Sequence, residues 1–339
     1  MKTIAIRLTV AIACSSLLLL GCSKSNKSAP AANNGDSTAA SSANGGSAPS
    51  GPVTLKVKWL TGKKYDMEMD LNRSMDMKIP GQPQTQETVT KLTQGLQYSP
   101  LKDLDSGGHQ VELQITRQNL DITQNGKEFV SYDSTQSTPI EPGSPSAPVA
   151  AAMQAMMGAP LDYTIGADGT VEKIDGIDSM TSRIAAAVPD QRQRASLQQL
   201  YDENTLKQYG EFSESLPDHP INVGDSWTSS QDINTPIGVI TADSTYTFKN
   251  WEQHNGHNCV HILITSVIKS KTSTAATIGI VVKIQKGTAT GDAWFDPDLG
   301  MFVDINTGQD LALDFTTRQM EFSGRQKQSV ELSLIGVNP

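Results

Sequence analysis

The stretch Met67-Glu68-Met69-Asp70-Leu71-Asn72-Arg73-Ser74-Met75-Asp76-Met77-Lys78-Ile79 decides the fold, because apolar and polar residues alternate along it. The apolar residues that share one parity are Met67, Met69, Leu71, Met75, Met77 and Ile79. Successive side chains of a β-strand point to opposite faces of its sheet. Period two over residues 66–79 therefore predicts a long strand with one buried face.

Other stretches that predict strands flank this one, and short turn sequences separate them. Before it, Val53, Leu55, Val57 and Trp59 alternate with polar residues. After it, the predicted strands are Thr85 to Leu104, Val111 to Ile122 with a bulge near Arg117, and Glu128 to Tyr132. Beyond Trp227 they are Tyr246 to Trp251, His257 to Val267, Thr277 to Lys286, Asp292 to Asp296, Met301 to Ile305, Leu311 to Arg318 and Ser329 to Ile335. Turn sequences such as Asn125-Gly126, Asn255-Gly256 and Asn306-Thr307-Gly308 favour an antiparallel arrangement.

The middle of the chain changes period and predicts a helical insert at about residues 147–215. Val149 to Met157 is helix-forming, and Ile177, Met180, Ile184 and Val188 recur at helical spacing. Between them, Leu161 to Ile174 predicts a hairpin that turns at Asp168-Gly169. Because strands flank the insert, we predict a single α+β domain over residues 53–339, with a mostly antiparallel sheet that is curved or partly closed.

Residues 1–21 have the pattern of a secretory signal. Lys2 and Arg7 precede an apolar run from Leu8 to Leu20, whose thirteen residues fall short of the roughly 20 that span a membrane. The end of the run, Leu19-Leu20-Gly21-Cys22, resembles the lipobox of bacterial lipoproteins. The resemblance implies cleavage before Cys22 and attachment of a lipid to its sulfur. An ordinary signal peptide that contains Cys is the alternative.

Residues 22–52 are predicted to be the lipidated Cys22 and a flexible tether. The tether is almost entirely Ser, Ala, Asn, Gly and Pro. Thirty residues of such coil span about 30 Å. Ser23 stands where an Asp would resemble an inner-membrane retention signal. We therefore expect the protein to be located in the cell envelope, anchored at the outer membrane.

Composition excludes some classes of function. Without residues 1–21, which carry two cations, the chain has 25 Lys and Arg against 36 Asp and Glu, a net charge of −11. Such a surface repels phosphate backbones, so nucleic acid is not an expected partner. Cys14 leaves with the signal and Cys22 takes lipid, so Cys259 remains alone and an intramolecular disulfide is not expected.

Three segments resemble a bacterial lipoprotein family known only as a domain of unknown function. They are Gly62-Lys63-Lys64-Tyr65, Tyr132-Asp133-Ser134 and Leu216 to Trp227, which ends in Gly-Asp-Ser-Trp. The likeness covers roughly Val53 to Leu313. It implies an exported, lipid-anchored, β-rich protein, and it brings no catalytic residues with it.

Gly224-Asp225-Ser226 also resembles the Gly-Asp-Ser block of a lipase and esterase family, in which the Ser is the nucleophile. That family takes its base from a downstream Asp-x-x-His, and no Asp-x-x-His follows Ser226. A Ser without a base is a poor nucleophile. We therefore interpret the segment as a turn that delivers Trp227 to the core, with Asp225 bonding the local backbone.

His254, His257, Cys259 and His261 crowd into eight residues, and on a strand the last three share one face. Imidazole and thiolate are ligands for zinc or copper. However, same-face neighbours on a strand lie about 6.6 Å apart, so three in a row converge poorly on one ion. The favoured interpretation is a surface hairpin with a buried Cys259 and no metal or other cofactor.

Methionine is frequent on the first long strand and in the insert, where Met153, Met156 and Met157 occur. These side chains either fill an ordinary core or line an adaptable apolar cavity, and we favour the core. The sequence thus predicts a lipid-anchored envelope protein without enzymatic activity, in a structural or protein-interaction role. A carrier of an apolar ligand is the first alternative and a hydrolase using Ser226 the second.

Overall fold

The structure, a computed structural model, describes residues 51–136, 141, 143–144, 146–191, 193–194, 203–235, 238–272, 280–317 and 320–339. The predicted signal peptide, Cys22 and almost all of the tether lie outside the described residues. The helices are α1 (Ser146–Met156), α2 (Ile177–Ala187) and α3 (Glu203–Lys207). The strands are β1 (Lys64–Lys78), β2 (Gln86–Asp103), β3 (His109–Gln124), β4 (Lys127–Asp133), β5 (Leu161–Ile165), β6 (Val171–Asp175), β7 (Ser226–Thr235), β8 (Gly238–His254), β9 (His257–Thr272), β10 (Ile280–Asp296), β11 (Met301–Thr317) and β12 (Glu321–Asn338).

All twelve strands belong to one sheet in the order β6-β5-β3-β2-β1-β12-β11-β10-β9-β8-β7, with β4 paired to β3. Every pair is antiparallel, as predicted. The first long strand pairs with the last, from Lys64 opposite Asn338 to Lys78 opposite Ser323. In the described part of the chain the hydrogen-bonded path is open, ending at β6 and β7. The partly closed sheet that we kept as an alternative is therefore not formed.

Several local predictions are confirmed. A bulge occurs at the predicted place, since Gly95 is opposite Arg117 and Leu96 is opposite Ile115. Asn125-Gly126 and Asn255-Gly256 turn the chain with positive φ angles at all four residues. The hairpin predicted from Leu161 to Ile174 is β5–β6.

Other predictions are wrong. Asn306-Thr307-Gly308 is not a turn but the middle of β11, where it pairs with β10 and β12 on both sides. The two predicted stretches within residues 280–296 likewise form one strand. Polar residues followed by Gly are typical of turns. Here the backbone N–H and C=O groups of these residues bond to the strands on both sides, and these bonds keep the chain extended.

The insert contains less helix than predicted. Its β5–β6 hairpin extends the sheet through β3, whereas the helices described on either side of the hairpin lie outside the sheet. Met153 and Met156 of α1 and Met180 of α2 pack into the main core. The insert therefore covers part of the buried face of the sheet.

Two apolar clusters fill the buried face. The first combines strand residues such as Met67, Met69 and Phe248 with residues of the insert such as Met156. The second, which includes Met75, Met77 and Phe315, takes all its buried residues from strands in the part of the chain described. The sheet is unclosed among the described strands, and its predicted curvature stays a prediction.

The segment before β1 packs against one end of the sheet. Val53 forms an isolated bridge with Ile221, and Lys58 N–H donates to the Gly300 carbonyl oxygen at 2.8 Å. Trp59 packs with its ring centroid 5.4 Å from that of Tyr65 and 5.8 Å from that of Phe212. The alternation from Val53 to Trp59 thus correctly predicted which side chains are buried. The segment does not form the predicted strand, since the Val53 bridge is its one β-bridge among the described residues.

Candidate functional site

Ser226 begins β7, directly after the turn that Gly224 and Asp225 form, as predicted. Its Oγ is 2.8 Å from Thr247 Oγ1 on the neighbouring strand, and the residue is exposed. Asp225 Oδ2 accepts a hydrogen bond from Asn222 N–H at 2.7 Å, and Gly224 has a φ of +93°. The Asp225 carboxylate therefore shapes the turn, as the structural interpretation of Gly-Asp-Ser required.

Trp227, which the turn delivers to β7, is half-buried rather than buried. Its ring stacks on Tyr246 at 5.6 Å between centroids, and Nε1 donates to the Ser215 carbonyl oxygen at 2.8 Å. The indole thus connects the edge of the sheet to the end of the insert.

Each histidine of the β8–β9 hairpin lies against a carboxylate from β10 or β11. His254 Nε2 is 3.0 Å from Asp304 Oδ2, and His257 Nδ1 is 2.8 Å from Asp296 Oδ2. His261 is 4% exposed, which contradicts the surface position that we predicted for it. The acidic partners are far away in sequence and become neighbours only through strand pairing.

Asp292 and Glu252 flank the buried His261. Its Nε2 is 2.6 Å from Asp292 Oδ1, whereas Nδ1 lies 2.9 Å from Glu252 Oε2 without the angles of a hydrogen bond. Trp294 lies between two imidazoles, stacked on His254 at 4.0 Å and on His261 at 4.8 Å between ring centroids. Among the described residues, no three His, Cys, Asp or Glu side chains form a group that could hold a metal ion.

Cys259 is fully buried, as predicted. Burial, with smaller contributions from the charges of Asp296 and Glu252, raises the pKa of its thiol to about 12. A thiol that stays protonated is neither a nucleophile nor a metal ligand. The structure thus describes a packed hydrophobic Cys.

The four methionines of β1 are buried between 1% and 3% exposure. Met67 and Met69 belong to the first apolar cluster, whereas Met75 and Met77 belong to the second. Close to the first cluster, an apolar void of about 20 Å³ is lined by residues such as Tyr246, Ile262 and Phe302. The methionines therefore fill a core, which is the interpretation that the sequence favoured.

Between the two clusters the buried face carries a band of polar side chains, which we call the polar belt. It consists of Arg73, Thr88, Thr90, Ser266, Gln309, Gln326 and Gln328, each between 4% and 8% exposed. Register places Thr90, Arg73, Gln328 and Gln309 side by side on four neighbouring strands. Thr88 and Gln326 flank Met75 in the next row, on the side of the second cluster. The belt thus lies at the boundary between the two apolar clusters.

Some atoms of the polar belt have no hydrogen-bond partner. They are Thr88 Oγ1, Gln326 Nε2 and both amide atoms of Gln309. In the first cluster, two buried amides do have partners: Gln94 Nε2 donates to Gln118 Oε1 at 3.2 Å, and Gln118 Nε2 donates to the Met153 carbonyl oxygen at 3.0 Å. A buried polar group without a partner is costly, so the belt atoms require an explanation, as do Gln208 Oε1 and Trp294 Nε1 elsewhere in the protein.

We did not predict the polar belt from the sequence, although one residue signals it. Arg73 occupies a position of the apolar parity on β1, between Leu71 and Met75. Long charged side chains are rarely buried. A cation at a core position of an otherwise apolar series was therefore the observable clue.

An open groove of about 570 Å³ crosses five neighbouring strands from β2 to β10, and the belt residues Arg73, Gln309 and Gln328 are among the residues that line it. Its lining includes exposed or half-exposed side chains that alternate with the belt, among them Asn72, Ser74, Lys91, Asp310 and Lys327. Asp310 also pairs with Arg325 beside the groove, and this contact holds the pKa of the Asp310 carboxyl below its usual range. The groove therefore presents polar and charged groups to solvent.

The model of a protein family described as "Family of unknown function (DUF6263)" matches residues 107–302. This range includes the Gly-Asp-Ser-Trp segment and excludes Gly62 to Tyr65. The predicted likeness to a family of unknown function is thereby confirmed. The match does not include the lipobox at Leu19 to Cys22 and does not test it. No curated protein matches the chain in sequence.

Three solved structures are similar in coarse shape. The lipovitellin structure has 9% identity and a TM-score of 0.46 over 83% of this chain, which spans 26% of the lipovitellin chain. A Bacteroides fragilis protein described as exported, with a YmcC-like fold, has 11% identity and a TM-score of 0.24 over 80% of this chain and 96% of its own. A Vibrio parahaemolyticus protein described as an outer membrane lipoprotein-sorting domain has 9% identity and a TM-score of 0.14 over 80% of this chain and 84% of its own. Such distant likenesses carry no function to this chain.

Proposed function

We propose that this chain, which belongs to a family described as of unknown function (DUF6263), is a lipid-anchored envelope protein. We propose further that it binds a protein partner and catalyses no reaction. The observation that carries the proposal is the open groove across β2, β1, β12, β11 and β10. An interaction surface is accessible and rigid, and these strands are the middle of the sheet.

The groove suits a partner with hydrogen-bonding and charged groups. Hydroxyl and amide side chains such as Asn72, Ser74 and Ser329 line it, with the ammonium groups of Lys91 and Lys327. Rim charges of this kind direct association and select partners more than they add affinity. The buried face, by contrast, is occupied by the protein's own side chains.

Anchoring through Cys22 rests on the lipobox resemblance. No helix among the described residues is long and apolar enough to cross a membrane. We expect Cys22→Ala to release the protein from the envelope fraction or to leave it unprocessed in the inner membrane. Recovery of this variant in the outer-membrane fraction, with its usual lipid-dependent gel shift, would contradict the anchoring proposal.

The binding proposal is tested by photocrosslinking in cells. A benzophenone amino acid placed at Lys91 and, separately, at Lys327 should crosslink to one and the same protein, because both positions line the groove. Lys283 is the matched control, since it is exposed on β10 but does not line the groove. Equal crosslinking at Lys283, or different products at the two groove positions, would contradict a specific partner.

The second candidate is a carrier of an apolar ligand. It is favoured by the methionines of β1, whose flexible side chains adapt to different shapes. Native mass spectrometry of the purified chain would decide between the two, because a carrier should retain a small apolar molecule. An envelope interaction protein should have the mass of the polypeptide and its lipid alone.

A further inference from the structure

The predicted tether joins the domain at one end of the sheet, which we call the tether end. At this end β1, β7, β9 and β11 begin, and β2, β8, β10 and β12 end. Residues 53–63, which we call the strap, connect the tether to β1 and contact this end in two places. Val53 forms its bridge with Ile221, just before β7, and Lys58 N–H donates to the Gly300 carbonyl oxygen, just before β11. The strap therefore lies on the tether end.

The side chains of the strap alternate between buried and exposed positions. The buried ones are Leu55, Val57 and Trp59, and the exposed ones are Thr54, Lys56, Lys58 and Leu60. Successive side chains of an extended segment point in opposite directions. The exposed set therefore points away from the core at the tether end.

The strap and the first residue of β1 are cationic, although the whole chain has a net charge of −9. Residues 53–64 contain no Asp or Glu, and they carry four exposed lysines, which are Lys56, Lys58, Lys63 and Lys64. Lys58 Nζ donates to the Pro297 carbonyl oxygen at 2.7 Å, so this lysine is held against the β10–β11 turn. The other three ammonium groups are the ones that this end presents outward.

Carboxylates occur in the turns beside the strap, and they are Asp103, Asp105, Asp225 and Asp298. Asp103 Oδ1 lies 2.9 Å from His109 Nδ1, and Asp225 binds the backbone of its own turn. These two carboxylates therefore already have partners within the domain, and the positive charge is concentrated on the strap.

Exposed apolar side chains are also concentrated at the tether end. Of the six large apolar side chains that are exposed in the described part of the chain, four lie there, each at least 45% exposed. They are Leu60 before β1, Leu101 near the end of β2, Val223 before β7 and Ile335 near the end of β12. Single exposed apolar residues need no explanation, whereas several at one end of a domain indicate an interaction surface.

The tether determines what this end is close to. It joins the strap at Val53, and thirty residues of such coil span about 30 Å. If Cys22 carries a lipid, the tether end is the part of the domain that stays near the bilayer. Basic residues combined with exposed apolar side chains are typical of surfaces that bind anionic lipids.

We propose that the tether end docks on the surface of a bilayer that contains anionic phospholipids, with Lys56, Lys63 and Lys64 among the head groups and Leu60 and Ile335 at the edge of the acyl region. This inference rests on the anchoring at Cys22 proposed above. Asn72 of the groove lies eight residues along β1 from Lys64, roughly 26 Å at the rise of a strand. Docking therefore holds the groove away from the lipid and open to a partner.

The test uses the whole chain after the predicted cleavage site, residues 22–339, with Cys22→Ser so that no lipid on the protein contributes. Cosedimentation with vesicles of phosphatidylcholine and phosphatidylglycerol in equal parts should show binding, and vesicles of phosphatidylcholine alone should bind at least about tenfold more weakly. Raising the salt from about 0.1 M to about 1 M should abolish most of the difference, because the screening length falls from about 10 Å to about 3 Å. Absence of binding to the mixed vesicles, or equal binding to both kinds, would overturn the proposal.

The decisive variant combines Lys56→Gln, Lys63→Gln and Lys64→Gln. Each lysine near an anionic surface contributes about fivefold to binding, so the triple variant should bind the mixed vesicles at least about tenfold more weakly than the parent. All three side chains are exposed, so the variant should fold, and circular dichroism checks this.

The matched control combines Lys78→Gln, Lys127→Gln and Lys283→Gln. These lysines are also exposed, but they lie towards the opposite end of the sheet. The control changes the net charge of the chain by the same amount and should bind as the parent does. Equal losses in the two triple variants would show that net charge alone acts, and unchanged binding by the strap variant would exclude these lysines; either result would overturn the proposal.

A fluorophore reports which end meets the lipid. The nitrobenzoxadiazole group attached at Leu60→Cys should shift its emission to the blue on the mixed vesicles, whereas the same group at Met320→Cys, in the β11–β12 turn at the opposite end, should not shift. Cys259 is fully buried, so the introduced thiol takes the label. An equal or larger shift at Met320→Cys would overturn the proposal. Because this chain carries no lipid, the outcome is separate from that of the Cys22→Ala experiment on anchoring.

Discussion

Arg73 on β1 and Gln328 on β12 lie directly opposite one another, and both side chains are buried, at 4% and 6% exposure. Directly opposite residues of a sheet have Cβ atoms about 5 Å apart. Two long polar side chains therefore share the middle of a face that is apolar above and below them. This pair marks the boundary between the two clusters, and the predictions below probe both sides of it.

Replacing any one methionine of β1 by Ala should lower the free energy of unfolding by about 2 to 5 kcal/mol, because each substitution leaves a cavity in a filled core. Met67 and Met69 report on the first cluster, and Met75 and Met77 on the second. Denaturant midpoints provide the measurement. Met320, at 37% exposure, supplies the control, and its Ala variant should change stability by about 0.5 kcal/mol or less. Near-neutral results for all four core variants would mean that they line a cavity.

The Gly-Asp-Ser-Trp segment should matter for stability and not for chemistry. Because Trp227 is half-buried, Trp227→Ala should cost about 2 to 3 kcal/mol, less than the 3 to 5 expected for a buried Trp. Ser226→Ala should cost no more than about 1 kcal/mol, since it removes an exposed hydroxyl contact. Chemical denaturation measures both. Labelling of Ser226 by a fluorophosphonate probe would instead revive the hydrolase.

Zinc should leave the melting temperature unchanged. The imidazoles of His254, His257 and His261 already face Asp304, Asp296 and Asp292, and a ligand that binds only the folded state must raise the melting temperature. Differential scanning fluorimetry with micromolar zinc checks this. A rise of several degrees that disappears in the His257→Ala, His261→Ala double variant would establish a metal site.

Alkaline pH should destabilise the fold. Burial raises the pKa of Tyr98 and Tyr163 well above the ordinary value and that of Tyr209 to about 12. An unfolded Tyr loses its proton near pH 10, so above this pH the folded state binds more protons than the unfolded state and stability falls. The decline should run from about pH 10 through the raised pKa values. Urea midpoints at pH 8, 10 and 11 measure it.

Tyr209→Phe provides the matched comparison for the pH dependence, because it removes one of the three buried phenols along with its hydrogen bond to Gln94 Oε1. The variant should start slightly less stable at pH 8 and lose stability less steeply above pH 10. Identical slopes for parent and variant would show that Tyr209 does not contribute.

Local patterns predicted most of the strands, the bulge opposite Gly95 and the hairpin turns, because each depends on side chains and backbone preferences within a few residues. They failed at Asn306-Thr307-Gly308, where the residues favour a turn and two neighbouring strands override them. The carboxylate partners of the histidines were also missed. Asp292, Asp296 and Asp304 are about 30 to 50 residues away in sequence, and strand register alone brings them close.

The sequence by itself determined that β1 is a long strand with a buried methionine face, that Cys259 is buried and that the sheet is antiparallel, since alternation and turn residues act locally. Only the tertiary structure decided that this face is divided into two clusters with Arg73 between them. The division depends on which residues β2, β12 and β11 place beside Arg73, and a one-residue change of register would have turned a different set of side chains inward. Pairing between distant segments is a property of the whole sheet, so the polar belt appears only once all of its strands are in place.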